Sequence, residues 1–127
     1  MALAGCQASV RAIETVPDPV LLDRIEQQLA QDQCVGSLDK WQRSYAWRLN
    51  WWGSRGLVGS KWLGADKSVV MFDLKQAGVF GFKAGRRVRS PDQRLFEYDS
   101  RDYLFAHGRH DVRTGEVVIE YCGPNLS

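Results

Sequence analysis

The sequence predicts an α+β fold, in which one N-terminal helix packs on an antiparallel sheet of about four to six strands. A single segment with helical periodicity lies near the N-terminus, and most of the later chain shows strand-like alternation or short apolar runs. The chain has 127 residues, of which 44% are hydrophobic, and this is enough to bury one core. We therefore expect a tether over residues 1–17 and a single domain over residues 18–127.

The helical segment is PDPVLLDRIEQQLAQDQ. Asp18 suits the N-cap, and Pro19 suits the first helical position, because its missing N–H has no partner to lose there. Apolar residues recur at helical spacing and form a stripe that faces a core: Leu21, Leu22, Ile25 and Leu29. The pattern stops near Cys34, and Gly36 marks the break.

Four further segments predict strands. WQRSYAWRLNWW, from Trp41, places aromatic residues at alternate positions, and VVMFDL, from Val69, resembles a central strand that is buried on both faces. DYLFAHGRHDV and EVVIEYC flank Arg113-Thr114-Gly115 and predict a hairpin. Alternation in its last strand would place Val117, Ile119 and Tyr121 on one face, and Val118, Glu120 and Cys122 on the other.

Glycines divide the rest of the chain. Four of them between residues 53 and 68 predict a loop there. Residues 75–93 are interrupted by three more glycines and a proline, so we expect turns and one short strand. Val88 is the apolar residue of that strand and is expected to face the core.

The first residues resemble a bacterial lipobox, the site at which a signal peptide is cut and a cysteine is acylated. The matching tetrapeptide is Leu3-Ala4-Gly5-Cys6. Only Met1 and Ala2 precede it, whereas a secretory signal needs a basic region and an apolar stretch of about 7–15 residues. The segment that follows, up to Pro17, has no periodicity, as expected of a tether. Cys6 is therefore either a lipid attachment site or an ordinary free cysteine.

The remaining two cysteines form an even pair if Cys6 is acylated. Cys34 follows the helix and Cys122 ends the last strand pattern, so a disulfide between them would close nearly the whole domain. The chain-entropy model assigns such a long loop roughly 4–5 kcal/mol of stabilisation. The alternative is a pair of buried thiols in a cytosolic protein.

Two stretches together with the lipobox-like start resemble small secreted proteins or lipoproteins of Gram-negative bacteria that have no assigned function. These stretches are ETVPDPVLLDRIEQQLAQDQCVGSLDKWQRSY and RTGEVVIEYCGPN. The resemblance implies an envelope location and supports the Cys34–Cys122 bridge, but it supplies no catalytic residues.

No motif indicates catalysis or a cofactor. His107 and His110 are the only histidines, and on a strand they would point to opposite faces, as expected of surface residues rather than metal ligands. Glu116 and Glu120 would lie roughly 13 Å apart along a strand, which is too far for a glycosidase pair. No GxSxG, P-loop or HExxH motif is present, so we expect no cofactor, no metal and no catalytic residues.

Two surfaces are candidates for binding. Trp52 and Trp62 are candidates for an exposed aromatic surface that would bind a glycan, peptide or lipid, although most tryptophans of such a chain belong to the core. The segment KAGRRVRSPDQR contains four arginines that form a candidate anion-binding cluster: Arg86, Arg87, Arg89 and Arg94. The ordinary alternative is a solvated turn with acidic neighbours.

These observations predict a small periplasmic, lipid-anchored binding or structural protein of the bacterial envelope, held at the outer or inner membrane through Cys6. Its partner would be the membrane surface or an anionic envelope component. The net charge of +2 is weak for nucleic acid. The alternatives are an envelope hydrolase, or a cytosolic protein that binds an acidic partner through the cluster from Arg86 to Arg94.

Overall fold

The computed structural model describes residues 16–52, 61–89 and 101–124, with side chains for all of these except residues 49–52 and 61–66. This part of the chain contains one α-helix and five strands, which confirms the α+β prediction. In chain order they are α1 (Pro19–Leu29), β1 (Trp41–Trp52), β2 (Lys61–Gln76), β3 (Gly85–Val88), β4 (Leu104–Asp111) and β5 (Val117–Pro124). A short 3-10 turn, Leu38–Lys40, leads into β1.

Helix α1 begins and packs as predicted. The Asp18 carboxylate accepts a hydrogen bond from the Val20 N–H at 2.7 Å, and Pro19 is the first helical residue. The buried side chains are Leu22, Ile25, Glu26 and Leu29. The helix ends at Leu29. The Asp32 carboxylate then accepts hydrogen bonds from the backbone N–H groups of Cys34 and Val35, and these bonds form a turn in place of a further helical turn.

The sheet has the strand order β3-β1-β2-β4-β5. All neighbouring strands are antiparallel except β3, which runs parallel to β1. The sheet is therefore mixed, whereas the sequence predicted an antiparallel one. The reason is local: the end of β2 lies beside the start of β1, with Gln76 opposite Trp41. Residues 77–84 then run past the N-terminal end of β1 to its other side. Strand β3 therefore begins beside the start of β1 and runs in the same direction as β1.

Strand β2 is central, as VVMFDL predicted. Val70, Phe72 and Leu74 are buried on the face that packs on α1, which we call the helix face. Val69 and Asp73 are buried on the opposite face, which we call the second face. The predicted loop over residues 53–68 is wrong for residues 61–68, which belong to β2 and pair with β1 across two irregularities. Bulges of this kind can accommodate a glycine within a strand, which explains why Gly64 suggested a loop in the sequence.

The C-terminal hairpin is confirmed, and Gly115 takes the positive φ of 74° that its turn requires. The predicted alternation in β5 is wrong beyond Ile119. His107 pairs with Tyr121 but Gly108 pairs with Ile119, so Glu120 is an extra residue that forms a bulge. The bulge shifts the alternation by one residue. Cys122 consequently lies on the helix face, and Tyr121 lies on the second face.

The core lies between α1 and the helix face. Its largest fully buried members come from α1, β1 and β2: Leu22, Ile25, Leu29, Tyr45, Phe72 and Leu74. Val88 was expected to face the core, but it is 42% exposed. It lies at the end of the short edge strand β3, where a single neighbouring strand supports it.

Candidate functional site: the arginine strand and the second sheet face

The predicted arginine cluster is divided between the two faces of the sheet. Strand β3 pairs with β1 so that Arg86 lies opposite Arg43 and Arg87 lies opposite Ser44. Because successive residues of a strand point to opposite faces, Arg86 belongs to the helix face and Arg87 to the second face. Arg94 lies outside the described residues.

Arg86 is engaged by acidic residues of α1. Its Nη2 atom lies 2.6 Å from Asp23 Oδ1 and 2.5 Å from Glu26 Oε1. Glu26 also accepts hydrogen bonds from Arg43 Nε at 2.7 Å and from the Tyr45 hydroxyl at 2.9 Å. This network joins the helix to β1 and to the edge strand β3, so the role that the contacts assign to Arg86 is structural.

The electrostatics of the network follow from its burial. Burial by itself would raise the pKa of the Glu26 carboxyl, but hydrogen bonds from Arg86, Arg43 and Tyr45 outweigh it and leave that pKa below its ordinary value. Burial raises the pKa of the Tyr45 phenol well above its usual range, and the charge of Glu26 raises it further. Around the Glu26 carboxylate, the network therefore places two guanidiniums and a neutral phenol at neutral pH.

Arg87 is the exposed member of the cluster on the second face. It forms no salt bridge with any residue in the described ranges. Arg89 follows β3, is half-buried, and donates a backbone hydrogen bond to the Tyr45 carbonyl at 2.8 Å. Arg87 and Arg89 were expected on the sheet face opposite to that of Val88. The pairing of β3 with β1 confirms this for Arg87, because it aligns Arg87 with Ser44 and Val88 with Tyr45.

A polar row crosses all five strands on the second face. Strand pairing aligns its members in the order Arg87, Ser44, Asp73, His107 and Tyr121. We call this set the central row. Sequence periodicity could not find it, because its members come from five strands and three of them fall within mainly apolar segments.

The central row contains a serine, an aspartate and a histidine, which invites comparison with a hydrolase triad. In a triad the histidine lies between the nucleophile and the carboxylate. Here Asp73 lies between Ser44 and His107, and Ser44 is only 2% exposed. The order and the burial do not fit nucleophilic catalysis by this serine.

Asp73 is the most unusual titratable group of the row. It is 2% exposed, its Oδ2 atom has no hydrogen-bond partner, and the Ser44 side chain hydrogen-bonds to the carboxyl. Burial raises its pKa to about 7, against the opposing effects of Lys75, Arg89 and the hydrogen bond from Ser44. The only signal for this group in the sequence is a single acidic residue within VVMFDL.

An aromatic cluster covers part of the second face. Its rings are those of Phe80, Phe82, Tyr103, Phe105 and Tyr121. The Phe105 and Tyr121 rings stack with centroids 4.8 Å apart, and His107 stacks against both of them. The Arg101 guanidinium lies 4.6 Å from the Phe80 centroid, and Phe80 itself is 49% exposed.

The sequence analysis did not single out this cluster. A signal for it exists, because GVFGF and DYLF each place two aromatic residues at alternate positions. The tryptophans that were singled out lie elsewhere. Strand pairing places Trp52 opposite Lys61 and Trp51 opposite Trp62, and their side chains lie outside the described set.

The predicted disulfide is present. Cys34 and Cys122 are bonded, with Cα atoms 6.3 Å apart and a sequence separation of 88 positions. It links the turn after α1 to the edge strand β5, and its presence indicates a non-reducing compartment. Cys34 is exposed and Cys122 is half-buried. Cys6 lies outside the described residues.

A cleft of about 280 Å³ adjoins the disulfide, and its lining includes Cys34, Trp41, Gln76 and Leu104. Two polar groups in this lining are already committed to the fold. Trp41 Nε1 donates to the Val35 carbonyl at 2.7 Å, and Gln76 Oε1 accepts from the Leu104 N–H at 2.9 Å. The cleft therefore offers mainly apolar contacts.

The histidines do not form a metal site. His110 was expected at the surface, but it is 3% exposed on the helix face, where burial lowers its pKa. No group of three potential metal ligands occurs within the described residues. The helix in this part of the chain is too short and too polar to cross a membrane.

Comparison with known proteins provides no assignment: no family model, no curated protein and no solved structure matches the chain.

Proposed function

We propose that the protein is a small binding or structural protein of the bacterial envelope, located in the periplasm and anchored through a lipid on Cys6. The Cys34–Cys122 disulfide carries this proposal. It joins two distant parts of the chain, as expected of a domain that folds where thiols are oxidised. The lipobox-like tetrapeptide that ends at Cys6 supports the anchor.

The partner class that the surface favours is an anionic component of the envelope. Arg87 is exposed on the second face, and Lys83 is exposed in the segment that leads to β3. Arg109 on β4 is also accessible, although its Nη1 atom lies 3.2 Å from Glu120. A guanidinium without acidic partners can bind phosphate or carboxylate in two-point geometry, and among the described members of the cluster Arg87 is the exposed one that forms no salt bridge with a described residue.

The location and the anchor are tested together on protein isolated from native membranes. Mass spectrometry should find a diacylglyceryl group on Cys6, and digestion without a reductant should yield a linked peptide containing Cys34 and Cys122. A Cys6→Ser variant should appear in the soluble periplasmic fraction with the disulfide intact. An unmodified Cys6 in the cytosolic fraction, together with reduced Cys34 and Cys122, would contradict the proposal.

A further inference from the structure

Asp73 is a buried carboxyl group that no ion pair within the described residues neutralises. It lies in the centre of the sheet, because β2 is the middle strand, and only 2% of its surface is exposed. Its Oδ2 atom has no partner, and its one side-chain hydrogen bond comes from Ser44. Placing an ionised carboxylate in such surroundings is costly, whereas a neutral carboxyl costs much less.

The groups around Asp73 come from every strand that contributes to the second face. On β2 itself Lys75 lies two residues along, and Arg89 follows the edge strand β3; the charges of both act on Asp73. The other ionisable neighbours belong to the central row and its surroundings: Arg87 on the β3 side, His107 and Arg109 on β4, and Tyr121 on β5. Neither Lys75 nor Arg89 forms a salt bridge with Asp73.

We propose that Asp73 is a proton-binding site that makes the packing of the second face depend on pH. In the protonated form, Asp73 is neutral and the sheet retains the packing described above. Loss of the proton leaves a buried carboxylate, which requires either water or the approach of a cation such as Lys75, which lies two residues along β2.

The direction of the pH effect follows from the pKa of this carboxyl. Burial raises it to about 7, whereas an aspartate in the unfolded chain titrates near 3.9. Between about pH 4 and pH 7 the folded chain therefore retains a proton that the unfolded chain has lost. Over this window the contribution of Asp73 to stability falls as pH rises, by about tenfold in the unfolding constant per pH unit.

His110 acts in the opposite direction, because burial lowers its pKa and the folded state holds it neutral. Its contribution to stability is lost as the pH falls through the range in which a free histidine is protonated. The two effects are separated by comparing the parent protein with an Asp73→Asn variant, in which His110 is unchanged. Asparagine has the shape of the neutral carboxyl and cannot ionise.

The direct experiment is an NMR titration of the Asp73 side-chain carboxyl in the oxidised parent protein. A midpoint close to neutrality is expected, and a midpoint below about pH 5 would overturn the proposal. The second measurement is urea unfolding of the parent and of the Asp73→Asn variant from about pH 5 to pH 8. As pH rises, the parent should lose stability relative to the variant. At the upper end of this range the unfolding constant of the parent should exceed that of the variant by on the order of 100-fold or more.

The matched control is Asp39→Asn, which removes an exposed carboxyl outside the sheet. Its difference from the parent should stay constant over the same pH range. An Asp73→Asn variant whose difference from the parent is equally constant would overturn the proposal. If that variant fails to fold, the NMR titration of the parent decides the matter alone.

Discussion

At the scale of single residues, Glu26 makes the largest number of specific contacts between the helix and the sheet. Its carboxylate contacts Arg43, Tyr45 and Arg86, which belong to β1 and β3. The side chain is only 9% exposed, so solvent screens these contacts weakly. A buried carboxylate with three donors contributes to stability mainly because removing it would leave the half-buried guanidiniums of Arg43 and Arg86 without the counter-charge that they share.

We therefore expect Glu26→Gln to lower the free energy of unfolding by about 2–4 kcal/mol, because Arg43 and Arg86 lose the charge that they share. Urea unfolding at neutral pH with the disulfide intact measures this change. The control is Asp23→Asn, which removes the other acid that contacts Arg86 from a side chain that is 60% exposed. Its cost should stay below about 1 kcal/mol, and equal costs for the two variants would contradict the role assigned to Glu26.

The same contacts predict a pH dependence in acid. The folded-state pKa of Glu26 lies below its ordinary value, so the stabilisation is fully present above the pKa of a free glutamate, about 4.3. It is lost as the pH falls through the lower folded-state pKa. Acid unfolding of Glu26→Gln should consequently lack this loss. A parallel acid transition in the parent and the variant would show that other carboxylates determine it.

At the scale of secondary-structure elements, the β4–β5 pair depends on close backbone approach at Gly108. A Cβ atom at this position would clash with the Val118 carbonyl oxygen and would lie 3.0 Å from the Ile119 Cα. These are backbone atoms, which cannot turn aside as a side chain can. Gly108 also adjoins the bulge at Glu120, so the same approach holds the register that brings Cys122 to the helix face.

Gly108→Ala should therefore lower the free energy of unfolding by about 3 kcal/mol, through displacement of β5 from β4. Thermal or urea unfolding measures the loss, and hydrogen exchange should locate it in β4 and β5. The control is Gly123→Ala, where the nearest atom is the Tyr121 hydroxyl oxygen at 3.3 Å. A change of less than about 1 kcal/mol is expected there, and a loss as large as that of Gly108→Ala would argue against the backbone contact.

The sequence predicted those elements whose signals are local. Capping at Asp18, the stripe through Leu29 and the turn at Gly115 each involve a few neighbouring residues, and all three are present. The bulge at Glu120 has no local signature, and it reverses the face on which Cys122 lies. The parallel placement of β3 likewise depends on where β2 ends in space, which periodicity does not record.

The candidate site was less predictable than the fold, for the same physical reason. The arginine segment was evident from composition, but the ion pairs of Arg86 with Asp23 and Glu26 join residues about 60 positions apart. Asp73 appeared in the sequence as one acid in an apolar run. Its unusual chemistry arises from burial, which exists only once β2 lies between β1 and β4 in the sheet.

At the scale of the whole molecule, the disulfide joins the turn after α1 to the last strand of the sheet. Its cysteines are 88 positions apart in sequence, and a loop of this length corresponds to about 4–5 kcal/mol in the chain-entropy model. We expect a Cys34→Ala, Cys122→Ala double variant to lose about 3–5 kcal/mol of unfolding free energy. Urea unfolding measures the loss, and adding a reductant to the parent should reproduce it. The control is Cys6→Ser, which leaves the disulfide in place and should keep the stability of the parent. Unchanged stability of the parent on reduction would contradict the structural role of the disulfide.

Exposed basic residues lie on different surfaces of the molecule. The chain carries a net charge of only +2, so any affinity for anions must come from a local surface rather than from the whole. Arg87 and Lys83 are exposed on or near the second face, whereas Arg24 is exposed on α1 beside Asp23. Reversal of charge at Arg87 and at Arg24 changes the net charge equally but alters different surfaces.

Arg87→Glu should weaken binding to vesicles of anionic phospholipid at low salt by roughly 10- to 30-fold, given about 1 kcal/mol for each charge at such a surface. Arg24→Glu should leave binding nearly unchanged, and both variants should keep their stability within about 1 kcal/mol because the two side chains are exposed. Cosedimentation with vesicles measures the affinity, with zwitterionic vesicles as the reference. Equal weakening by the two variants would assign the effect to net charge, and no binding by the parent protein would leave Arg87 as ordinary surface charge.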